Sequence, residues 1–160
     1  MRHDKNKILA CIIAQLEADL LMLEQAVKLA RDTATHADCL GSSKYETMGL
    51  EASYLAQGQG MRLLEVERSL AYFKALSLVE TDGVVVLSAL VELENEQGQQ
   101  QLLWLAAEAG GLKLRCGESI VTVITPKAPL GTALMGKLAQ DDFEISIAGI
   151  KHSYEVIAIY

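Results

Sequence analysis

Between Ile8 and about Leu76 the apolar positions recur at helical intervals. Leu9, Ile13, Leu16, Leu20, Leu23, Val27, Ala30 and Ala34 alternate in steps of four and three, the heptad spacing of a helix packed against another helix. The polar stretch Asp38-Cys39-Leu40-Gly41-Ser42-Ser43 interrupts the pattern, and Leu63, Val66, Leu70 and Phe73 resume it. This predicts helices over about 5–36 and 43–76, joined by a short turn and folded back as an antiparallel coiled-coil hairpin. At 1.5 Å of rise per residue, arms of about thirty residues make a rod on the order of 45 Å long. Its tip falls at about 38–51. Asp4 suits the N-cap of the first helix, and Ser43 with Glu46 suits a capping box at the start of the second. Gly49, Gly58 and Gly60 inside the second arm predict close helix–helix approach, since each costs about 1 kcal/mol relative to alanine.

After Thr81-Asp82-Gly83 the period changes. Val84 to Glu94 reads as a strand, Asn95-Glu96-Gln97-Gly98 as a hairpin turn, and Gln99 to Leu105 as the returning strand. Gly110-Gly111 marks a loop and Ile120 to Ile124 a buried strand. A short helix is expected within Pro126–Gly136, with Pro129 in its first turn and Gly136 past its end. Phe143–Ile147 and Tyr154–Ile159 form a closing hairpin around Ala148-Gly149. The chain thus reads as α+β, with a helical hairpin over 1–78 and a small α+β domain over 79–160.

Charge adds a distinction between the halves. The net charge is −7, and residues 77–160 carry most of it, with five Lys and Arg against eleven Asp and Glu. Such a surface repels nucleic acid and suits a basic protein partner. The three cysteines, Cys11, Cys39 and Cys116, lie far apart with no C-x-x-C pair, so zinc and redox motifs are not indicated and reduced thiols in the cytoplasm are expected. Ile8-Leu9-Ala10-Cys11 mimics a lipoprotein cleavage box, but the heptad passes straight through it. No run reaches the ~20 apolar residues of a membrane span. His3, His36 and His152 are scattered without ligand spacing. Neither a Gly-x-Ser-x-Gly elbow nor a phosphate-binding loop occurs.

The segment Ala128-Pro129-Leu130-Gly131-Thr132-Ala133-Leu134-Met135-Gly136-Lys137, followed by Asp141-Asp142-Phe143-Glu144-Ile145, resembles the C-terminal signature of bacterial Gre-type transcript-cleavage factors. That signature is a Ser-Pro-x-x-x-x-Leu-x-Gly-Lys segment, an acidic pair and a strand. Tyr154-Glu155-Val156-Ile157 resembles the family's last strand, and Arg62-Leu63-Leu64-Glu65-Val66-Glu67 resembles the second arm of its hairpin. The resemblance implies an FKBP-like C-terminal domain that docks on RNA polymerase, and a hairpin threaded into the polymerase's secondary channel. It makes Pro129, Leu130, Leu134, Met135, Lys137, Asp141 and Asp142 the expected partner contacts. In cleavage-competent members an Asp-x-x-Glu pair at the tip helps hold a magnesium ion in the polymerase active site, so the factor is not itself an enzyme. No Asp-x-x-Glu occurs between Asp38 and Tyr54. The remaining tip carboxylates are Asp38, Glu46 and Glu51, and on one helix Glu46 and Glu51 stand roughly 140° apart.

The expectation is therefore a monomeric, cytoplasmic regulator of transcription elongation. It has no cofactor of its own beyond a magnesium ion shared with the polymerase, and it touches nucleic acid only through the transcription complex. Weak or absent stimulation of cleavage follows from the departed tip. Two alternatives come from other classes. A prolyl isomerase shares the implied fold, but residues 77–160 supply only Trp104, Phe143, Tyr154 and Tyr160 to line an aromatic pocket. A coiled-coil adaptor would dimerise through the heptads, against which the turn at 38–43 argues.

Overall fold

The computed structural model describes residues 3–39 and 43–160, leaving aside the side chains of residues 34, 36–48 and 52. Two compact units are present, one of Ile13–Lys74 and one of Met1–Ile12 with Ala75–Tyr160. In chain order the elements are helices α1 (Lys5–Cys39) and α2 (Ser43–Lys74), strands β1 (Leu90–Asn95), β2 (Gln100–Leu105), β3 (Lys113–Cys116) and β4 (Ser119–Ile124), helix α3 (Pro129–Leu134), and strands β5 (Asp142–Ile147) and β6 (Ile150–Ile159). No described helix is long and apolar enough to cross a membrane.

Asp4 caps α1 as its sequence predicts. Its carboxylate accepts hydrogen bonds from the backbone N–H of Asn6 at 3.0 Å and of Lys7 at 3.2 Å, which satisfies two of the donors that a helix N-terminus leaves free. The proposed Ser43–Glu46 box lies outside the described side chains. Within the helical unit the two arms run antiparallel. Lys74 Nζ, at the end of α2, lies 3.1 Å from Glu17 Oε1 near the start of α1, while Arg31 and Thr35 share a groove with Ser53, Ala56 and Gly60. Rising numbers on one arm thus meet falling numbers on the other.

The seam between the arms buries Leu16, Val27 and Ala30 on α1, and Ala56, Val66, Leu70 and Phe73 on α2. Near the start of α1 the buried positions are Ile8 and Ile12, whereas Leu9 and Ile13, expected on the seam, are half-buried. The shift has a local cause. Residues up to Ile12 belong to the sheet-containing unit, and Lys5, Ile8 and Ile12 share one helical face at i, i+3 and i+7. Gly58 and Gly60 correct another expectation: a Cβ at either would meet nothing within 4 Å, so neither marks a close approach.

The six strands form one sheet in the order β3-β4-β2-β1-β6-β5. The β1–β2 turn falls where Asn95-Glu96-Gln97-Gly98 predicts, with Asn95 Oδ1 accepting from the N–H of Gln97 and of Gln99 and Gly98 at φ 75°. The β5–β6 turn uses Ala148 and Gly149 at φ 52° and 81°, both in the left-handed region that a tight hairpin requires. One expectation fails, and one strand is not foreseen. Val84–Ala89 precedes β1 as irregular chain: Val85 exchanges hydrogen bonds with Lys137 and Gly136, and Ser88 turns the backbone at φ 73°. Of its three valines only Val85 is buried, while Val86 and Leu87 are exposed, so a β-branched composition by itself has not made a ladder here. β3 has no counterpart in the sequence reading, because four residues alternating with Lys113 and Arg115 give too short a signal.

Packing covers one face of the sheet and part of the other. One core joins Val85, Ala89, Val91, Leu93, Leu103, Leu105, Ile124, Leu134 and Val156. The opposite face aligns Trp104 with Leu90 and Val123 in register, and here the start of α1 packs. Lys5 Nζ lies 5.6 Å from the centre of the Trp104 ring, and Cys11 is bonded to Cys116. That bond corrects the expectation of free thiols for these two cysteines. The side chain of Cys39 is outside the description. Lys5 Nζ and Trp104 Nε1 are buried without a hydrogen-bond partner among the described residues, and burial lowers the Lys5 pKa from its ordinary 10.5 because the charged form is desolvated.

Candidate functional site

The segment that carries the motif is built around a glycine. α3 begins at Pro129, whose fixed φ and missing N–H suit the first helical position. A Cβ on Gly131 would collide with the carbonyl oxygen and carbon of Thr125, so only glycine lets this turn close against the end of β4. Thr132 Oγ1 locks the same corner by donating to the carbonyl of Pro126 at 2.5 Å or Ala128 at 3.0 Å. Gly136, at φ 81°, ends the helix and returns the chain to Val85.

The expected contact residues divide by exposure. Leu134 is fully buried and Leu130 packs against the core, so these two side chains hold α3 in place. Asp141 ties its own turn, its Oδ2 accepting from the Leu138 N–H at 2.7 Å. Pro129, Met135 and Asp142 are exposed and Lys137 is half-exposed. Beside α3 lies a groove lined by Leu103, Ile124 and Leu130 together with the polar Gln101, Thr122 and Lys127.

Strand pairing assembles a second feature that the linear sequence hides. Glu94 of β1 stands opposite Glu155 of β6, and Glu155 stands opposite Asp142 of β5. Three carboxylates therefore form a row across three strands. The period-two alternation of β5 puts Glu144 on the same side as Asp142, Glu96 follows in the β1–β2 turn, and all five border a groove of about 470 Å³ together with Phe143 and Tyr154. Those two rings stack with centroids 5.6 Å apart and pack on the core. Like charges directly opposite in a sheet are destabilising. Gln100 Nε2, donating to Glu94 Oε2 at 3.2 Å, and Ser153 Oγ, donating to Glu144 Oε1 at 3.4 Å, offset the repulsion only in part. Of the row, only Asp142 is singled out by the sequence; Glu94 and Glu155 emerge from register alone.

In the helical unit, Glu51 is exposed on α2. The side chains of Asp38 and Glu46 lie outside the described residues. Among the described residues no group of three or more His, Cys, Asp or Glu is placed to hold a metal ion.

The geometry defines a two-unit α+β protein, with an antiparallel helix pair and a six-stranded sheet that carries an acidic groove. No family model matches the chain. Transcription elongation factor GreA of Ruegeria pomeroyi is 24% identical over 151 residues, covering 91% of each chain. Transcription elongation factor GreA of Rhodospirillum rubrum is 26% identical over 156 residues, covering 92% of each. Among solved structures, the GreA factor homolog 1 protein of Thermus thermophilus aligns over 92% of this chain and 94% of its own at 24% identity, with a TM-score of 0.40. The sequence relatives, spanning nearly all of both chains, support a Gre-type transcription elongation factor family for this protein.

Proposed function

We propose that the protein is an RNA polymerase-binding regulator of transcription elongation. The carrying observation is similarity to GreA elongation factors along about nine-tenths of each chain, in a chain whose helix pair and sheet follow the order of the Gre-type pattern. On this reading α1 and α2 form a coiled-coil hairpin with its tip at about 38–51, inserted into the secondary channel. The remainder is an FKBP-like docking domain, and the protein acts as a cytoplasmic monomer without a reaction of its own.

The docking surface is assigned to the exposed part of the 129–142 segment, namely Pro129, Met135, Lys137 and Asp142, continued by the row Glu94–Glu155–Asp142. A sheet that keeps three carboxylates in register bears a stability cost that a basic partner would relieve. At the tip, a shared magnesium ion needs converging oxygen ligands, and the Asp-x-x-Glu spacing is missing. The hairpin therefore occupies the channel and stimulates cleavage weakly or not at all.

The test is co-purification of the full chain with purified bacterial RNA polymerase, followed by transcript shortening in stalled, backtracked elongation complexes. Expected are salt-sensitive binding and little shortening. Absence of binding at low salt would overturn the reading. Strong shortening abolished by Glu46→Ala or Asp38→Ala would overturn the assignment of the tip.

A further inference from the structure

Cys11 and Cys116 are bonded with their Cα atoms 5.9 Å apart, although 105 positions separate them in the chain. We propose that they form a reversible thiol–disulfide site, opened and closed by low-molecular-weight thiols and disulfides, which fastens the first turns of α1 to the sheet.

The two cysteines differ in exposure. Cys116, at the end of β3, is 7% exposed on the face of the sheet that carries Trp104, whereas Cys11 is half-buried. Exchange requires in-line attack of a thiolate on an accessible sulfur, which assigns the attacked position to Cys11. An incoming thiolate bonds to the Cys11 sulfur, the Cys11–Cys116 bond breaks, and its electron pair leaves on Cys116, which takes up a proton. A second small thiolate then frees Cys11 from the mixed disulfide, and Cys11 is protonated in turn. Two small thiols leave as their disulfide, and the protein gains two electrons and two protons. Closure is the reverse, with a small disulfide as the oxidant.

The bond joins parts of one unit that are otherwise held by side-chain packing. Ile8 and Ile12 are buried, Lys5 lies over Trp104, and the rings of His3 and Tyr160 meet edge to face at 5.4 Å. These contacts involve a desolvated ammonium and an unsatisfied indole N–H, which weakens the noncovalent hold. Opening the bond leaves a segment free to detach locally at a low cost. Cellular thiol pools keep most cysteines reduced, and disulfides that form against them are commonly transient and redox-sensing.

The experiment uses the full chain with Cys39→Ser, equilibrated in glutathione buffers from reducing to oxidising, with peptide mapping of the unsubstituted chain alongside. Thiols are counted by alkylation and mass spectrometry, and backbone hydrogen exchange is followed in residues 5–12. Expected is joint loss of the Cys11 and Cys116 thiols in one two-electron step, with exchange in 5–12 at least roughly tenfold faster in the reduced state. Cys11→Ser and Cys116→Ser should each exchange at the fast rate in every buffer. Thiols that stay open to alkylation in glutathione disulfide would overturn the proposal. So would a bond that reduced glutathione leaves closed in the folded chain, or equal exchange in the two redox states.

Discussion

Neutralising the middle of the carboxylate row should make the protein more stable and a worse binder. Glu155 faces Glu94 on one side and Asp142 on the other, so Glu155→Gln removes two like-charge cross-strand contacts while keeping shape and hydrogen-bonding capacity. Each such contact is worth about 0.2–1 kcal/mol, which gives a gain of roughly 0.4–2 kcal/mol. For a chain of this size that corresponds to a rise in Tm of about 1–8 °C. The gain should shrink with added salt, although neighbouring strands about 5 Å apart lie inside the ~8 Å screening length at physiological ionic strength. Binding to RNA polymerase should weaken, with a shallower salt dependence than the parent. Thermal melts at low and high salt, paired with a binding titration on the same samples, make the check. A variant that gains stability and binds as tightly as the parent would refute the role of this row in docking. A variant that loses stability would refute the electrostatic reading of the row itself.

Other perturbations should act through features at a distance from this row. Replacing both Cys11 and Cys116 with Ala should cost about 4–5 kcal/mol in denaturant unfolding by the chain-entropy model, because the bond closes a loop of 105 positions; the parent under reducing conditions should lose a similar amount. Gly131→Ala should destabilise by about 1–3 kcal/mol or more, since the Thr125 carbonyl, unlike a flexible side chain, has no room to give, and near-ultraviolet circular dichroism should report the disturbance of α3. Lys5→Met should raise stability near neutral pH by removing a buried ammonium without an acceptor. Because the folded chain depresses the Lys5 pKa, the parent gains stability as pH rises from the lowered folded value towards 10.5, and melts across that range should show its deficit against Lys5→Met narrowing.

The sequence is most legible where local chemistry decides the structure. Asp4 as a cap, Asn95 and Gly98 in a turn, and Pro129 and Gly136 bracketing α3 each follow from backbone requirements that no distant residue can change. Leu16, Val27, Ala30, Val66, Leu70 and Phe73 keep the heptad because a helical period survives whatever it packs on. Legibility fails where partners come from afar. Val84–Ala89 has the composition of a strand, yet the Gly136–Lys137 backbone pairs with it first. Ile8 and Ile12 displace Leu9 and Ile13 because the start of α1 belongs to the sheet's unit, a fact that periodicity cannot carry. The cysteines follow the same logic: spacing excludes a local motif but says nothing about two residues brought together by the fold.

The candidate site shows this division most sharply. The motif residues Leu130 and Leu134 are conspicuous in sequence because a short helix needs an apolar side, and that same need turns them inward to the core. Glu94 and Glu155 are inconspicuous as single acidic positions, and only the β1–β6–β5 register gives them a collective charge. A sheet selected for stability alone would place a lysine or threonine in the middle of such a row, where opposite charge or a hydrogen bond stabilises the pairing. The carboxylates that stand there instead oppose the fold locally. On the proposed docking, a cationic partner relieves that opposition, and the acidic balance of residues 77–160 then acts at this surface rather than through solubility at large.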